Sequence, residues 1–462
     1  MEWSDRKGLS NQLNRRTVLV VVYYFPPRGG VAVIRTVKYI KYLREFGWEP
    51  IILTAKQSHF QFRDDSLLNE LPKDIRIIHT SPPWIQHLIR SAQSQMQDGG
   101  LKNRGSKNSS KKSSPIYLFL RNLKNRLNRL IFLIDDYEGW RKTAIKAAES
   151  LIQSTRIDLI YTSSPPHSVQ LIGQALSKKH GIPWVADFRD PWTQDFRYFI
   201  PSTLVHKWAI LKGERKTVEY ASRIISVSDV MKHYFQNRYP SHSPNKFITI
   251  TNGFDSNDYP ADKNKTEFLD KFVITYAGSF YLHQTPVYFY QGIQQFLAEN
   301  PGAKKDLLIQ IIGKSQKDYE AYPFEIGIGE NIRKTGFVPH REVGRYLANS
   351  DIYLLVLWSN PDCVDFAFSG KFFEYLAMEK PILALVNTGA CYDFFQQYPV
   401  GETAPFSDVK KIAEAITLFY NEWKNGTLRQ QADQKMLQLF DRKNLTGQLS
   451  HLFHEVVEES NT

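Results

Sequence analysis

A lysine and a glutamate stand one turn apart where an apolar helix is predicted to begin, in the stretch SGKFFEYLAMEKPILAL at 369–385. Lys371 and Glu374 are spaced i, i+3, and the simplest interpretation is a surface ion pair. The small residues Ser369 and Gly370 suggest a second interpretation, a binding site for a phosphate. A helix that starts in such a turn leaves backbone N–H groups unpaired, and these groups suit a phosphate. Lys371 would add positive charge there, and Glu374 could accept hydrogen bonds from ribose hydroxyls.

The chain has 462 residues and the composition of a globular protein, which leaves room for two domains. The two cysteines, Cys363 and Cys391, form neither a metal-binding spacing nor a disulfide framework, and this favours a reducing setting. The first residues lack the apolar core of a signal peptide, and no later stretch reaches about 18 uninterrupted apolar residues. We therefore expect a cytoplasmic protein without a membrane span.

The net charge of +12 is concentrated in one segment. Residues 101–134 contain nine Lys or Arg and no Asp or Glu. The first part is rich in Ser, Asn and Lys and is predicted to be a mobile loop. The second part, 116–134, has apolar residues at helical spacing. The basic residues of this predicted helix are Arg121, Lys124, Arg126 and Arg129.

Two interpretations of this basic amphipathic helix stay open. It is typical of a membrane-surface element that binds anionic lipid. It is equally typical of a core helix whose solvated face happens to be basic. Nucleic acid is a weaker third interpretation, because no recognition motif accompanies the charge, and we expect no nucleic-acid partner.

Strand and helix signals alternate along the chain in two series, which predicts an α/β fold with two doubly wound, mostly parallel sheets. The expected arrangement is two Rossmann-like domains facing each other across a cleft. The strands of the first series are predicted at 17–25, 49–54, 75–80, 158–164, 183–190, 223–228 and 247–255. Those of the second are predicted at 272–279, 307–313, 332–339, 351–357 and 381–386.

The polar, turn-rich stretch at 255–270 separates the two series and is predicted to be a linker. It divides the chain into an N-terminal domain at 1–254, with a mobile basic insertion at about 91–134, and a C-terminal domain at 271–440. The remaining residues, 441–462, are expected to form a helix that returns to the N-terminal domain.

Loops at the predicted carboxyl ends of the strands carry the other candidate residues, because ligands bind at this edge of an open α/β sheet. The first strand ends in YYFPPRGG, where Gly29 and Gly30 let the backbone approach a ligand closely. A plain strand-to-helix turn is the alternative. The loop does not have a GxGxxG spacing, so a nicotinamide or flavin cofactor is not supported.

Two further strands end in TSSPPHS and DFRDPW, which bring His167, Asp187, Arg189 and Asp190 to adjacent strand ends. Packing alone does not readily explain such a gathering of charge. The alternatives are that His167 is an ordinary loop histidine and that Asp187 is a structural carboxylate paired with Arg189.

The motifs YFPPRGGVAVIR, YTSSPPHS, VADFRDPW, TNGFD, YAGS and SGKFFEYLAMEKPILAL occur in the order and spacing of GT-B glycosyltransferases. The sequence resembles in particular the retaining family 4 of nucleotide-sugar-dependent enzymes. The resemblance runs from about residue 17 to 440, except for the basic insertion. It implies the GT-B fold and transfer of a sugar, with retention of configuration, from a nucleoside diphosphate sugar to a cell-surface polysaccharide or glycolipid precursor.

The resemblance also implies roles for the candidate residues. The C-terminal domain would bind the nucleotide sugar, with Glu374 on the ribose hydroxyls. The residues assigned to the donor and its diphosphate are Gly29, Gly30, Gly278, Ser279, Ser369, Gly370 and Lys371. The candidate catalytic residues are Asp190, followed by Asp187, Arg189 and His167.

The sequence departs from the family pattern at three places. Phe366 stands where many relatives carry a glutamate near the transferred sugar, and Asp365 is the nearest carboxylate. No basic residue follows Gly278 at the positions of the usual Arg and Lys. The histidine of many relatives falls nearer Ser163 than His167. Two alternatives therefore stay open, a catalytically silent binding or assembly protein and a nucleotide-sugar epimerase.

No D-x-D triplet, the usual diphosphate–metal ligand pattern of the other glycosyltransferase fold, occurs in the sequence. We expect a metal-independent enzyme without a cofactor, in which backbone N–H groups and cations stabilise the leaving phosphate. A lipid-linked acceptor would place the protein peripherally on the inner face of the cell membrane.

Overall fold

The computed structural model describes residues 15–56, 63–81, 133–193, 203–260, 262–280, 284–313, 317–336, 338, 340–357, 366, 368–428 and 433–462. The predicted basic insertion at 91–134 lies outside these residues except for its last two. Contacts divide the chain into two compact units. The first unit comprises the chain up to Ser226, 232–250 and 446–462, and the second comprises 227–231 and 251–445.

The first unit is built on a seven-stranded sheet in the order β3-β2-β1-β4-β5-β6-β7. Every pairing in it is parallel. β1, β4 and β5 are buried along most or all of their length, as expected for a sheet with helices on both faces. The strands are β1 Arg16–Val21, β2 Trp48–Ala55, β3 Arg76–Thr80, β4 Leu159–Ser164, β5 Trp184–Phe188, β6 Arg223–Ser226 and β7 Phe247–Thr249.

The second unit is built on a six-stranded parallel sheet in the order β10-β9-β8-β11-β12-β13. Its strands are β8 Phe272–Ala277, β9 Leu307–Ile312, β10 Ile332–Gly336, β11 Ile352–Val356, β12 Ile382–Leu385 and β13 Gly401–Ala404. Apolar side chains of β8, β9, β11 and β12 form the two core clusters on the faces of this sheet.

Helices cover both sheets and connect consecutive strands. In the described part of the first unit they are Val31–Leu43, Trp140–Ser154, Ser168–His180 and Leu204–Tyr220, with Asp229–Arg238 at its border with the second unit. In that of the second they are Val287–Glu299, Lys317–Glu325, His340–Ala348, Gly370–Met378, Ala390–Gln397, Val409–Lys424 and Gln434–Leu439. The last helix, Arg442–Asn461, begins in the second unit, and its residues from Thr446 onward belong to the first.

The end of the chain is tied into the first unit by polar contacts as well as packing. Trp48 Nε1 donates to His454 Nε2 at 3.1 Å, and Ser450 Oγ donates to the carbonyl oxygen of Phe46 at 3.0 Å. The stretch predicted as a linker, 255–270, falls within the second unit. Among the described residues, no helix is both long enough and apolar enough to cross a bilayer.

The observed architecture confirms the predicted class of two Rossmann-like, doubly wound α/β domains. All twelve predicted strands are present. Among the strands of the described residues, β13 alone was not predicted, because its residues GETA are mostly not buried and lack an apolar run. The strand order reverses between β1 and β4 in the first unit and between β8 and β11 in the second. These reversals are the switch points beside which ligands bind in such sheets.

Candidate functional site

The candidate residues lie in both units at the carboxyl ends of strands. In the first unit they follow β1, β4 and β5, which are neighbours around the switch point. In the second unit they follow β8 and β11, which are also neighbours at a switch point. Each group is therefore gathered by the topology of its own sheet.

Asp187, in β5, has no exposed surface and accepts hydrogen bonds from three side chains. Arg35 donates to both of its carboxylate oxygens, from Nε at 3.0 Å and from Nη2 at 3.1 Å. Tyr161 Oη donates at 2.5 Å and Ser163 Oγ at 2.9 Å. Arg35 also donates to the carbonyl oxygen of Ile250 at 2.9 Å. This arrangement favours a structural role for Asp187.

The cation beside Asp187 is thus Arg35, and the sequence hypothesis that it would be Arg189 is wrong. Arg189 instead donates from Nε to the carbonyl oxygen of Ser164 at 3.0 Å and from Nη2 to that of Pro165 at 2.8 Å. The guanidinium therefore joins the loop after β4 to the loop after β5. The two contacts need two N–H donors on one side chain, which the guanidinium supplies.

His167 reinforces the same junction. Its ring is nearly buried and stacks on the ring of Trp192, with centroids 5.2 Å apart and planes 11° apart. The six-membered ring of Trp192 also lies near Gly213 of the Leu204–Tyr220 helix, where a Cβ would come within 2.7 Å of the indole. Asp190 lies in the same loop and is half-buried. The structure thus brings His167, Arg189 and Asp190 to one junction.

A carboxylate that the sequence analysis missed holds the start of the Ser168–His180 helix. Asp135 accepts from the backbone N and the Oγ of Ser168, both at 2.7 Å, and from the backbone N of Tyr137 at 2.9 Å. Burial raises the pKa of Asp135 to about 6, against the effect of these hydrogen bonds. Its position directly after the basic segment gave no local pattern from which to predict it.

The glycine loop after β1 leads into the Val31–Leu43 helix. Gly30 has a φ of 107°, which residues other than glycine rarely adopt. It occupies the N-cap position of the helix and has no side chain with which to cap it. Beside it the guanidinium of Arg28 lies 4.0 Å from the ring centroid of Tyr24. Gly29 is buried and Gly30 is exposed, so Gly30 is the more accessible of the two.

In the second unit, the Gly370–Met378 helix begins without a side-chain cap. Ser369 occupies the N-cap position, but its Oγ does not bond to the helix. That oxygen is buried and, within the described part of the chain, has no hydrogen-bond partner. A buried hydroxyl without a partner is uncommon in folded proteins. Together with the free N–H groups of the first turn, it suits an anionic ligand.

The side chain of Lys371 lies across Gly278. Its Nζ donates to Tyr276 Oη at 2.6 Å and lies 4.2 Å from the centroid of that ring. A Cβ at position 278 would be 2.3 Å from Lys371 Cε and 2.6 Å from Nζ, so only glycine leaves room for this path. Gly278 also has a φ of 131°. The lysine is therefore directed toward the end of β8 by a glycine and a tyrosine.

Burial lowers the pKa of Lys371 to about 8, although the charge of Glu374 acts in the opposite direction. The ammonium is still mostly protonated at neutral pH. A lysine that is partly desolvated before a ligand arrives interacts more strongly with an anion than one in bulk water. Lys371 therefore has the properties of a phosphate-binding group.

Glu374 lies one turn further along the same helix and is half-buried. The next residue, Tyr375, anchors this turn, because its Oη accepts a hydrogen bond from the backbone N of Ala277 at 2.8 Å. The contact fixes the helix relative to the end of β8. Ser279, just after Gly278, is exposed. The structure thus brings Gly278, Lys371 and the first turn of the helix together.

Sequence reasoning missed two residues, one in each unit, although the sequence carried a signal for each. Tyr276 lies two positions before Gly278 on a strand, so the two residues face the same side of the sheet. Arg35 is a charge within the apolar helical run VAVIRTVKYI, which indicates a buried counter-ion. Neither signal identifies the partner.

Two protein-family models match the sequence. The model described as Glycosyltransferase Family 4 matches residues 115–258, and the model described as Glycosyl transferases group 1 matches residues 271–422. Together they span more than half of the chain. The chain belongs to the family 4, or group 1, glycosyltransferases. The resemblance, the fold class and the enzyme class predicted from the sequence are thereby confirmed.

Solved glycosyltransferase structures share this fold over nearly the whole chain. A glycosyltransferase from Rickettsia africae has a TM-score of 0.62 at 16% identity, covering 96% of this chain and 99% of its own. Anabaena HepE, solved with UDP and glucose, has a TM-score of 0.58 at 16% identity, covering 96% and 100%. The lipopolysaccharide outer core galactosyltransferase WaaB, solved in its apo form, has a TM-score of 0.56 at 13% identity, covering 95% and 99%.

At such identities these likenesses concern the fold alone. None of the curated proteins compared with the sequence matches it significantly.

Replacing Asp187 by Asn should destabilise the glycosyltransferase by about 3–5 kcal/mol, because the change leaves the charge of Arg35 buried without its partner. Urea unfolding measures this loss. The control is Asp65→Asn, which removes the partner of Arg63 in a solvent-exposed ion pair and should leave the free energy of unfolding nearly unchanged. Equal stability of the two variants would contradict the structural role of Asp187.

The position of Lys371 predicts that Lys371→Met weakens binding of a diphosphate ligand, with UDP as the probe, about tenfold or more at pH 7, because a charge-assisted hydrogen bond to phosphate is lost. A bound phosphate raises the pKa of the ammonium, so wild-type affinity should be constant well below pH 8 and fall as the pH rises through 8. The variant should lack this fall. Calorimetry over that range measures both effects, with the exposed Lys410→Met as the control. The same pH dependence in all three proteins would show that Lys371 does not contact the phosphate.

Proposed function

We propose that this glycosyltransferase moves a sugar from a nucleoside diphosphate sugar to the precursor of a cell-surface polysaccharide or glycolipid. The observation that carries the proposal is the start of the Gly370–Met378 helix. There the uncapped first turn, the buried hydroxyl of Ser369 and the amine of Lys371 offer several donors and one positive charge to an anion. A diphosphate matches this set of groups.

In this proposal the second unit binds the donor. The backbone N–H groups of Gly370 and Lys371 and the hydroxyl of Ser369 donate to the diphosphate, and the ammonium of Lys371 neutralises part of its charge. Glu374, one turn on, accepts hydrogen bonds from the ribose hydroxyls. Gly278 and Ser279 line the diphosphate from the end of β8. The assignment of Gly29 and Gly30 to the diphosphate, which the family resemblance implies, stays a prediction.

UDP sugars are the first donors to test, because the structural neighbour Anabaena HepE was solved with UDP and with UDP-glucose.

The chemistry needs charge stabilisation on the leaving group. As the sugar departs, negative charge grows on the phosphate, and an ammonium and N–H groups fixed in advance stabilise it more than they stabilise the ground state. Lys371 is held by Tyr276 before a donor binds. We propose that turnover needs no metal and proceeds with retention of configuration, as the family resemblance implies.

The first unit is proposed to present the acceptor. Asp190 is the candidate that would contact the acceptor or the transferred sugar, because it lies in the loop after β5 and is half-buried. Arg189 and His167 hold that loop against the loop after β4, so we assign them a positioning role. Asp187 is the buried ion-pair partner of Arg35, and we assign it a structural role at the base of the two loops.

The acceptor is proposed to be lipid-linked. The nine basic residues at 101–134 are the feature of the sequence that supports this, since each Lys or Arg near an anionic membrane contributes roughly 1 kcal/mol to binding. Peripheral attachment on the inner face of the cell membrane would bring the protein to such an acceptor.

The test of donor use is a panel of nucleotide sugars incubated with and without a membrane extract, in which released nucleoside diphosphate is measured. One nucleotide sugar should be consumed, in the presence of EDTA as well as in its absence. Glu374→Ala should weaken binding of that donor by about 1.5–3 kcal/mol, because ribose hydroxyls lose a charged acceptor. Glu330→Ala, an exposed glutamate elsewhere in the same unit, is the matched control.

A wild-type protein that releases no nucleoside diphosphate from any donor would favour the silent binding protein. Conversion of a nucleotide sugar to its epimer without an acceptor product, whether or not nucleoside diphosphate is released, would favour the epimerase. Unchanged donor affinity in Glu374→Ala would overturn the ribose assignment.

Asp190→Asn should lower the transfer rate at least tenfold while donor affinity changes less than twofold, since the residue is assigned to the acceptor side and not to the nucleotide. The rate is measured with saturating donor, and donor affinity by calorimetry. Arg189→Lys is the comparison, because it keeps the charge but not the two-carbonyl contact. If Asp190→Asn lowered donor affinity as much as the transfer rate, the residue would contact the donor, and its assignment to the acceptor side would be wrong.

A further inference from the structure

The Leu204–Tyr220 helix exposes large apolar side chains at its beginning. Leu204 is 84% exposed, Val205 56% and Trp208 57%. At 100° per residue these three side chains project within one arc of about 100°. They form a single apolar tip on the helix surface, which we call the 204–208 tip.

The other face of this helix is firmly packed, so the exposure is a property of the tip and not of a loose helix. Gly213 lies against Trp192, and Glu214 accepts hydrogen bonds from the backbone N of Thr193 at 3.0 Å and from Tyr239 Oη at 2.8 Å. Glu214 also pairs with Arg238 at 3.0 Å. The fold therefore does not require Leu204 or Trp208 to be apolar.

Basic residues continue the exposed face beyond the tip. Lys212 Nζ lies 4.2 Å from the ring centroid of Trp208, and Arg215 and Lys216 follow one turn later on the same side. Lys207 is exposed beside the tip. The acidic residues of the helix are Glu214, which is buried in the contacts above, and Glu219, which is exposed at the far end.

The tip lies at the carboxyl-end edge of the first sheet. Two residues separate the end of the helix at Tyr220 from the start of β6 at Arg223, so the C-terminus of the helix is at the amino-end edge. A helix that connects two parallel strands runs antiparallel to them, and its first residues are therefore at the opposite edge. That is the edge where the loops of Gly30, His167 and Asp190 lie.

We propose that the 204–208 tip and the basic residues behind it form a docking surface for an anionic lipid bilayer. Tryptophan and leucine at the tip fit the boundary between head groups and acyl chains, and the basic residues fit lipid phosphates. The surface is formed by residues other than those of the basic segment at 101–134. It deepens the proposed function, on which its link to the acceptor rests, because it would bring the acceptor-side loops to the membrane surface.

The experiment uses the full chain and vesicles of phosphatidylcholine, alone or mixed with phosphatidylglycerol. The wild type should co-sediment with the mixed vesicles and less with the neutral ones, and high salt should weaken binding. Leu204→Ser combined with Trp208→Ser should reduce binding about tenfold. Leu269→Ser is the matched control, since Leu269 is a 70% exposed leucine of the second unit and should leave binding unchanged.

A second pair of variants tests the charge separately. Lys212→Gln combined with Arg215→Gln should also reduce binding about tenfold at low salt, and Lys410→Gln should not. Replacing Arg121, Lys124, Arg126 and Arg129 by Gln isolates the basic segment, and the tip should still contribute to binding in that background. UDP binding should be the same in all tip variants and the wild type, so a failure of the proposed donor site is seen independently of lipid binding.

The proposal would be overturned if the Leu204→Ser, Trp208→Ser variant co-sedimented with the mixed vesicles as strongly as the wild type does. It would also be overturned by a wild type that is dimeric without lipid while the Leu204→Ser, Trp208→Ser variant is monomeric, because the tip would then be covered by a second copy of the chain. Analytical ultracentrifugation decides between these outcomes.

Discussion

The first unit depends on one buried ion pair, between Arg35 and Asp187. Both side chains lack exposure to solvent, and their contacts extend to Tyr161, Ser163 and the carbonyl oxygen of Ile250. A buried charge pair contributes little to stability when compared with apolar residues, but either charge alone is strongly unfavourable. The pair therefore holds the helix after the glycine loop, the ends of β4 and β5 and the chain after β7 in one arrangement. The loops that carry His167, Arg189 and Asp190 start from this fixed point.

In the second unit, two glycines without side chains allow the close contacts that position the candidate residues. A Cβ at Gly313 would come within 2.3 Å of the carbonyl oxygen of Gly278, and Gly278 in turn leaves room for Lys371. The sequence lacks the basic residues that many relatives carry after this glycine. In the structure an ammonium nevertheless reaches the end of β8, delivered from the neighbouring helix and held by Tyr276. The two opposite charges at the start of an apolar helix are explained if each binds a different part of one nucleotide.

Much of this architecture could be predicted from the sequence because it depends on local patterns. Runs of β-branched residues predicted twelve strands, and the turn at Ser369 and Gly370 predicted an uncapped helix start. The partners of buried charges could not be predicted in this way. Asp187 pairs with a residue 152 positions away, and Arg189, its near neighbour, contacts carbonyl oxygens instead. Asp135 was missed for the same reason, since its role is set by tertiary contacts that leave no spacing in the sequence. The position of Tyr276 two residues before Gly278 indicated a shared face of the sheet, but not its contact with Lys371.

The exposed apolar surface at the beginning of the Leu204–Tyr220 helix could not be predicted from the sequence and is seen only in the structure. Apolar residues occur at the beginning of this helix and further along it, so the sequence alone does not distinguish the exposed ones from the buried ones. Only the exposed fractions separate Leu204 and Trp208 from Ile210 and Val218, which are buried. Lipid binding and sugar transfer would then share one edge of the first sheet.

Hydrogen exchange measured by mass spectrometry, with and without saturating UDP, tests the donor site at the Gly370–Met378 helix. Amide exchange should slow at the start of this helix, where the N–H groups of Gly370 and Lys371 would acquire a phosphate as acceptor. Protection should be weaker in the Lys371→Met variant at the same UDP concentration. Unchanged exchange in this turn, with UDP shown to be bound by calorimetry, would contradict the assignment of the donor site.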